Sequence, residues 1–143
     1  MHPERLFFLC NSLAPVGWLM MILAPRWKWT DRVVLSGLLP LLLAVVYLFI
    51  IAFEFWNAEG DFASLAGVAK LFENPYALTA AWIHYLAFDM FIGAWEIRDS
   101  RKHNISHVLV IPSLILTFVF GPIGLLLYFV TRWIKTGNMF GHD

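Results

Sequence analysis

The chain has 143 residues, 60% hydrophobic and 14% charged, with a formal net charge of zero and a mean hydropathy of +0.71. This composition excludes an ordinary soluble globular domain, and the balanced charge gives no reason to expect a nucleic-acid partner. The lone Cys10 excludes an internal disulfide and reads as an inert thiol within an apolar segment.

Four apolar segments follow in chain order: Leu6–Ala24, Val33–Phe53, Tyr76–Ile97 and Val108–Ile134. At about 1.5 Å per residue, each is long enough for a hydrocarbon core of roughly 30 Å. Backbone polar groups there must be satisfied internally, so each reads as a helix. The first exceeds the apolar core of a signal peptide, about 7–15 residues. Pro15 interrupts it and no small-residue cleavage site follows, so an uncleaved helix is expected.

Pro25 stops the first helix, and Asp31 is placed to cap the second. The connection after the second span begins acidic, with Glu54, Glu59 and Asp61. It then shows apolar residues at Phe62, Leu65, Ala66, Ala69 and Phe72, the spacing of a short amphipathic helix lying in the interface. Asn74-Pro75 reads as an N-cap with proline at the first helical position, and Ser106 as the cap of the fourth span. The expected fold is therefore all-α: a single domain over 1–143, forming a four-helix transmembrane bundle with an interfacial helix between spans two and three. Pro15 and Pro40 read as tolerated kinks, and Pro112 interrupts the fourth span as well. Gly121-Pro122-Ile123-Gly124 is a stronger break that frees carbonyls at mid-depth.

Six Lys and Arg lie in the first and third loops and four on the other side. The positive-inside rule then puts those loops in the cytoplasm and both termini outside. No organelle transit peptide is visible, which favours a bacterial cytoplasmic (inner) membrane.

The third span carries the candidate chemistry, because His84 and Asp89 fall near mid-membrane, where a charge costs roughly 2.5–3.5 kcal/mol. At 100° per residue, Trp82, Tyr85, Asp89, Gly93 and Glu96 share one stripe. His84 lies about 140° away from Asp89, with Phe88, Phe91 and Trp95. Ala77, Ala81 and Gly93 are small enough for another backbone to approach. Counting residues from the cytoplasmic ends puts Asn11, His84 and Gly121-Pro122 in one layer, and Asp89 level with Ser113–Thr117. His84 and Asp89 are the expected acid/base residues. Asn11, Trp82, Tyr85, Phe88, Glu96, Thr117, Gly121 and Pro122 are the expected substrate wall. Interhelical hydrogen bonding is the structural alternative for the buried pair. No pair of metal ligands shares a helix face at ligand spacing, so no metal is expected, and no nucleotide, heme or redox motif occurs.

The stretch Trp82–Trp95, the Arg98-Asp99 that follows, and Leu116–Tyr128 with its Gly-Pro-x-Gly break resemble the abscisic-acid-deficient-4-like membrane family. The resemblance is close over the second half and extends to the first in layout. It implies a carotenoid or related isoprenoid lipid as partner, since plant relatives are tied to neoxanthin formation from violaxanthin. That epoxide opening with allene formation needs one acid and one base and no cofactor. The implied function is a cofactor-free isomerase or lyase in the membrane. The alternative is a non-catalytic pigment- or lipid-binding subunit, as a homo-oligomer or part of a larger, for example photosynthetic, complex.

Overall fold

The computed structural model describes residues 2–139, and among them every regular element is helical. Helix α1 is Pro3–Leu23, α2 Leu38–Phe53, α3 Leu65–Leu71, α4 Pro75–Lys102, α5 His107–Phe120 and α6 Pro122–Thr136. A π-helical stretch, Thr30–Leu35, leads toward α2. Helices α1 and α4 are long and apolar enough to cross a membrane, while α2 and α5 are shorter apolar helices.

Helix α4 is the hub, packed against α1, α2, α5 and α6. Its small residues allow this: the Trp18 ring lies where a Cβ on Gly93 would stand, and Ala77, Ala80 and Ala94 are buried. Its start follows the sequence reading, since Asn74 Oδ1 accepts from the amides of Tyr76 (2.9 Å) and Ala77 (3.2 Å) ahead of Pro75. Two other expected caps do not form. Asp31 bonds Arg101 (2.7 Å), and α2 starts instead after Gly37 at φ +89°. Ser106 precedes α5 without a side-chain capping bond.

The interfacial helix exists but is shorter than its apolar pattern. Ser64 Oγ caps it at Gly67 N, so it begins at Leu65 and leaves Phe62 outside, stacked on Phe55. The buried residue of α3 is Leu71, while Phe62 and Leu65 are exposed.

The expected fourth span is the main correction. Residues 108–134 do not form one helix: α5 and α6 are an antiparallel hairpin that turns at Gly121-Pro122. Gly121 adopts φ 52°, ψ −98°, open to glycine and strained for other residues, and Pro122 cannot donate to the preceding turn. The reversal stacks Gly124 onto α5 so closely that a Cβ there would lie 2.0 Å from Thr117 N and 2.5 Å from Ser113 O. Helix α6 runs back until Arg132 Nη1 reaches Asp99 Oδ1 (3.2 Å), near the C-terminus of α4. With 14 and 15 residues, the two helices are each about 21–22 Å long, short of a full crossing. The C-terminus of α6 therefore lies at the same end as the first and third loops, opposite to the sequence expectation.

That end is tied by polar contacts. Arg98 donates to the Leu35 carbonyl and Arg101 to the Pro25 carbonyl. His107 Nε2 donates to the Ile22 carbonyl (2.9 Å), and Thr30 Oγ1 to that of Ala24 (2.7 Å).

Candidate functional site

The hairpin tip meets α4 at Asp89, the fifteenth of its 28 residues. A Cβ on Gly121 would stand 3.0 Å from Asp89 Oδ1. Gly121 thus serves twice: it takes the positive φ and gives the carboxyl room against the backbone. Gly121 is also the N-cap of α6, the helix end whose amides favour negative charge. Asp89 is 7% exposed, and its Oδ2 has no hydrogen-bond partner among the described residues.

Tyr85, one turn before Asp89 on the same stripe, closes the site from above. Its hydroxyl donates to the carbonyls of Phe118 and Val119, each at 3.2 Å, and faces the Asp89 carboxyl. Pro122 has no N–H for the Phe118 carbonyl, and the break at Gly121 ends the helix before one could reach Val119. The carbonyls expected from the Gly-Pro break are therefore present, with a tyrosine on them. Trp82 donates through Nε1 to Asn11 Oδ1 (3.0 Å), joining α4 to α1. Asn11, Trp82 and Tyr85, with Ala14, Pro15, Phe118 and Val119, line an open groove of about 270 Å³. Asp89 lies beneath its Tyr85 wall.

Glu96 is two turns from Asp89, fully buried, and accepts from Thr117 Oγ1 at 2.9 Å. In sequence Arg98 stands two residues away, near enough to neutralise it. Arg98 turns instead to the Leu35 carbonyl. Below Glu96, Tyr128 donates to Asp99 Oδ2 (2.7 Å), and Arg132 bonds Asp99 and His103. This lower cluster was missed. The like spacing of Gly124, Tyr128 and Arg132 on one face of α6 was the available signal.

The structure does not bring His84 to Asp89, and His84 is not buried. It is exposed on the outer face of α4, stacked on Phe88 at 4.6 Å between ring centres and edge-on to Tyr47 of α2 at 5.6 Å. Phe88 is exposed there too and lines another groove, between α2 and α4. The layer count is also displaced by about one turn, because α4 continues to Lys102. Gly121 stands level with Asp89 and Thr117 with Glu96. Of the expected wall residues, Tyr85 and Gly121 meet Asp89, Asn11 and Trp82 join Tyr85 in the groove, Pro122 follows at the hairpin tip, Thr117 and Glu96 pair below, and Phe88 lies elsewhere. Among the described residues no three of His, Cys, Asp and Glu are grouped as metal ligands would be.

The chain is 29% identical to a protein of Arabidopsis thaliana named Protein ABA DEFICIENT 4, chloroplastic, over 80% of its own length. It spans about half that relative, 54% of its length. The relative's name places it in the chloroplast, so the expectation of a bacterial inner membrane finds no support in this match. No solved structure matches the chain. The pattern that defines the ABA DEFICIENT 4-like family matches residues 5–128, including α1, α2, α4, α5 and the tip of the hairpin, and the chain belongs to that ABA4-like family.

Proposed function

We propose that this is an integral membrane protein whose α1–α4 groove takes a carotenoid or related isoprenoid lipid, with Asp89 as the proton-transferring group. In this reading α1, α2 and α4 cross the bilayer, the α5–α6 hairpin enters it from one side, and α3 lies in the opposite interface. The charge distribution supports this arrangement. Eight of the ten Lys and Arg (Arg26, Lys28, Arg32, Arg98, Arg101, Lys102, Arg132 and Lys135) lie at the hairpin's open end, against Arg5 and Lys70 at the other. The positive-inside rule then makes the open end cytoplasmic. The reversal at Gly121 sharpens the six-to-four bias of the sequence reading by moving two charges across. Non-helical backbone at membrane depth is tolerated where protein covers it, as Tyr85 and Asp89 cover the hairpin tip.

The observation that carries the functional reading is Asp89 itself. An enclosed carboxyl with an unpartnered oxygen sits one turn from Tyr85, a wall residue of the open aromatic groove, which in this reading faces lipid. Ionisable groups at such depth mark functional sites by default. Proton transfer between Asp89 and a bound polyene or its epoxide rearranges bonds without a redox partner, giving an isomerase- or lyase-like reaction. His84, on the outer face, becomes a lipid contact in this reading.

A second reading, a non-catalytic pigment- or lipid-binding subunit, has its own support. The groove between α2 and α4, about 470 Å³, is lined by Gly37, Pro40, Ala44, Ala87, Phe88 and Phe91, with no ionisable side chain. The isoprenoid extract of cells with and without the gene separates the two. An enzyme changes the structure of one carotenoid or isoprenoid species. Unchanged species, with one of them co-purifying with the protein, would sink the catalytic reading and favour the subunit.

A further inference from the structure

Below Asp89 the interface between α4 and the hairpin is lined with oxygen atoms as far as the basic end. On α4, Asp89, Glu96, Asp99 and His103 fall within about 80° on the helical wheel and span about 21 Å along the axis. The facing stripe of α5 is Ser113, Thr117 and Gly121, one turn apart each. Thr117 joins the two stripes through its bond to Glu96 Oε1. Glu96 Oε2 and Ser113 Oγ, both in fully buried residues, and Asp89 Oδ2 have no hydrogen-bond partner among the described residues. The lower part is linked by hydrogen bonds and ion pairs. Tyr128 donates to Asp99 Oδ2, and His103 Nδ1 lies 3.5 Å from the same oxygen. Arg132 can only donate, so His103 Nε2 accepts from it and the ring proton sits on Nδ1, toward the Asp99 carbonyl at 2.8 Å. The Asp99 and His103 side chains each keep 11% exposure, so the row ends at solvent.

Packing does not call for this row. A buried polar atom without a partner is destabilising, and three of them along one seam is a poor way to hold a helix to a hairpin. They suit a route on which protons pass through transient bonds.

We infer that Glu96, with Ser113, Thr117 and Tyr128, forms a proton path linking Asp89 to the Asp99–His103 cluster at the basic end. Asp89 and Glu96 are about 10 Å apart along the helix, too far for one hop, so intervening water carries that stretch to Glu96 and Thr117, and the Ser113 and Tyr128 hydroxyls serve the stretch from Glu96 to Asp99. At each hop an O–H bond breaks and the next oxygen's O–H forms. The sum is one proton moved between the groove and the cytoplasmic end, with no other bond changed. This rests on the reading of Asp89 as the proton-transferring group: the path reloads it after each turnover without exposing the lipid groove to water.

The test is hydrogen–deuterium exchange of the Asp89 carboxyl in the purified full chain in lipid nanodiscs, followed by infrared spectroscopy after mixing with D2O. The carboxyl band is assigned by its loss in Asp89→Asn, at an acid pH where it is present. Glu96→Gln should slow its exchange roughly tenfold or more, and His84→Gln should not change it. If Glu96→Gln does not fold, Ser113→Ala and Tyr128→Phe should each slow the exchange instead. Parental rates in the folded path variants, or no Asp89 band at the most acid pH the protein withstands, would overturn the path. Slowed exchange together with an unchanged isoprenoid profile in Asp89→Asn cells would keep the path and reject the catalytic reading.

Discussion

Gly124→Ala should collapse the hairpin. The added methyl would stand 2.0 Å from Thr117 N, 2.2 Å from Thr117 Oγ1 and 2.5 Å from Ser113 O. Two of these are backbone atoms of α5, which cannot rotate away as a side chain would. Relief requires α6 to lift from α5, and that pulls Tyr128 and Arg132 from Asp99. The expected loss is about 3 kcal/mol or more, at the upper end of overpacking effects, with poor recovery from detergent. Gly137→Ala is the control. It sits at positive φ, 72°, unlike the helical Gly124, but nothing lies within 4 Å, so only the conformational penalty of about 1 kcal/mol applies. Thermal unfolding of both variants in one detergent checks the contrast. Equal melting temperatures would mean that α6 does not lie on α5.

Asp89→Asn should separate folding from activity. Asparagine keeps the shape, fits the same space beside Gly121 and can still bond Tyr85, so stability should change by less than about 1 kcal/mol. It cannot give or take a proton under the reaction's conditions, so conversion of the isoprenoid substrate should fall roughly 100- to 10,000-fold. His84→Gln, on the outer face against Phe88, should retain most of it. Extracts from cells making each variant, at matched protein levels, provide the comparison. Parental conversion by Asp89→Asn would leave Asp89 a packing device.

The helical wheel of α4 was legible in the sequence, because periodicity alone placed Trp82, Tyr85, Asp89, Gly93 and Glu96 on one stripe. So were Asn74-Pro75 and the position of the break at Gly121-Pro122, whose residue types have direct backbone consequences. Whether the break bends or reverses the chain was not legible. Hydropathy over 108–134 is the same for one spanning helix and for two half-length ones, and the decision rests on the contact between Gly124 and Thr117, which only the folded chain shows. The exposure of His84 was not legible for a related reason. A polar residue in an apolar segment looks buried, yet lipid is as apolar as a protein core, so hydropathy cannot tell the two faces of a helix apart. The aromatic company of His84, Phe88 and Phe91, is what the outer face of α4 consists of. The pairing of Glu96 with Thr117 was not legible either: Arg98 stands nearest in sequence, yet it points around the helix toward Leu35.

The site as described depends on the chain turning back at Gly121, since this sets Asp89 against the hairpin tip and brings Tyr128 and Arg132 of α6 back to Asp99. The sidedness of three single cysteines tests it most directly: Asp61→Cys, Lys102→Cys and Asn138→Cys, each in a Cys10→Ala background, probed with a membrane-impermeant maleimide on sealed, oriented vesicles. Re-entry predicts that positions 102 and 138 label from the same side and position 61 from the other. Labelling of position 138 together with position 61 would mean that residues 108–134 cross the membrane, and would contradict the hairpin and the site built on it.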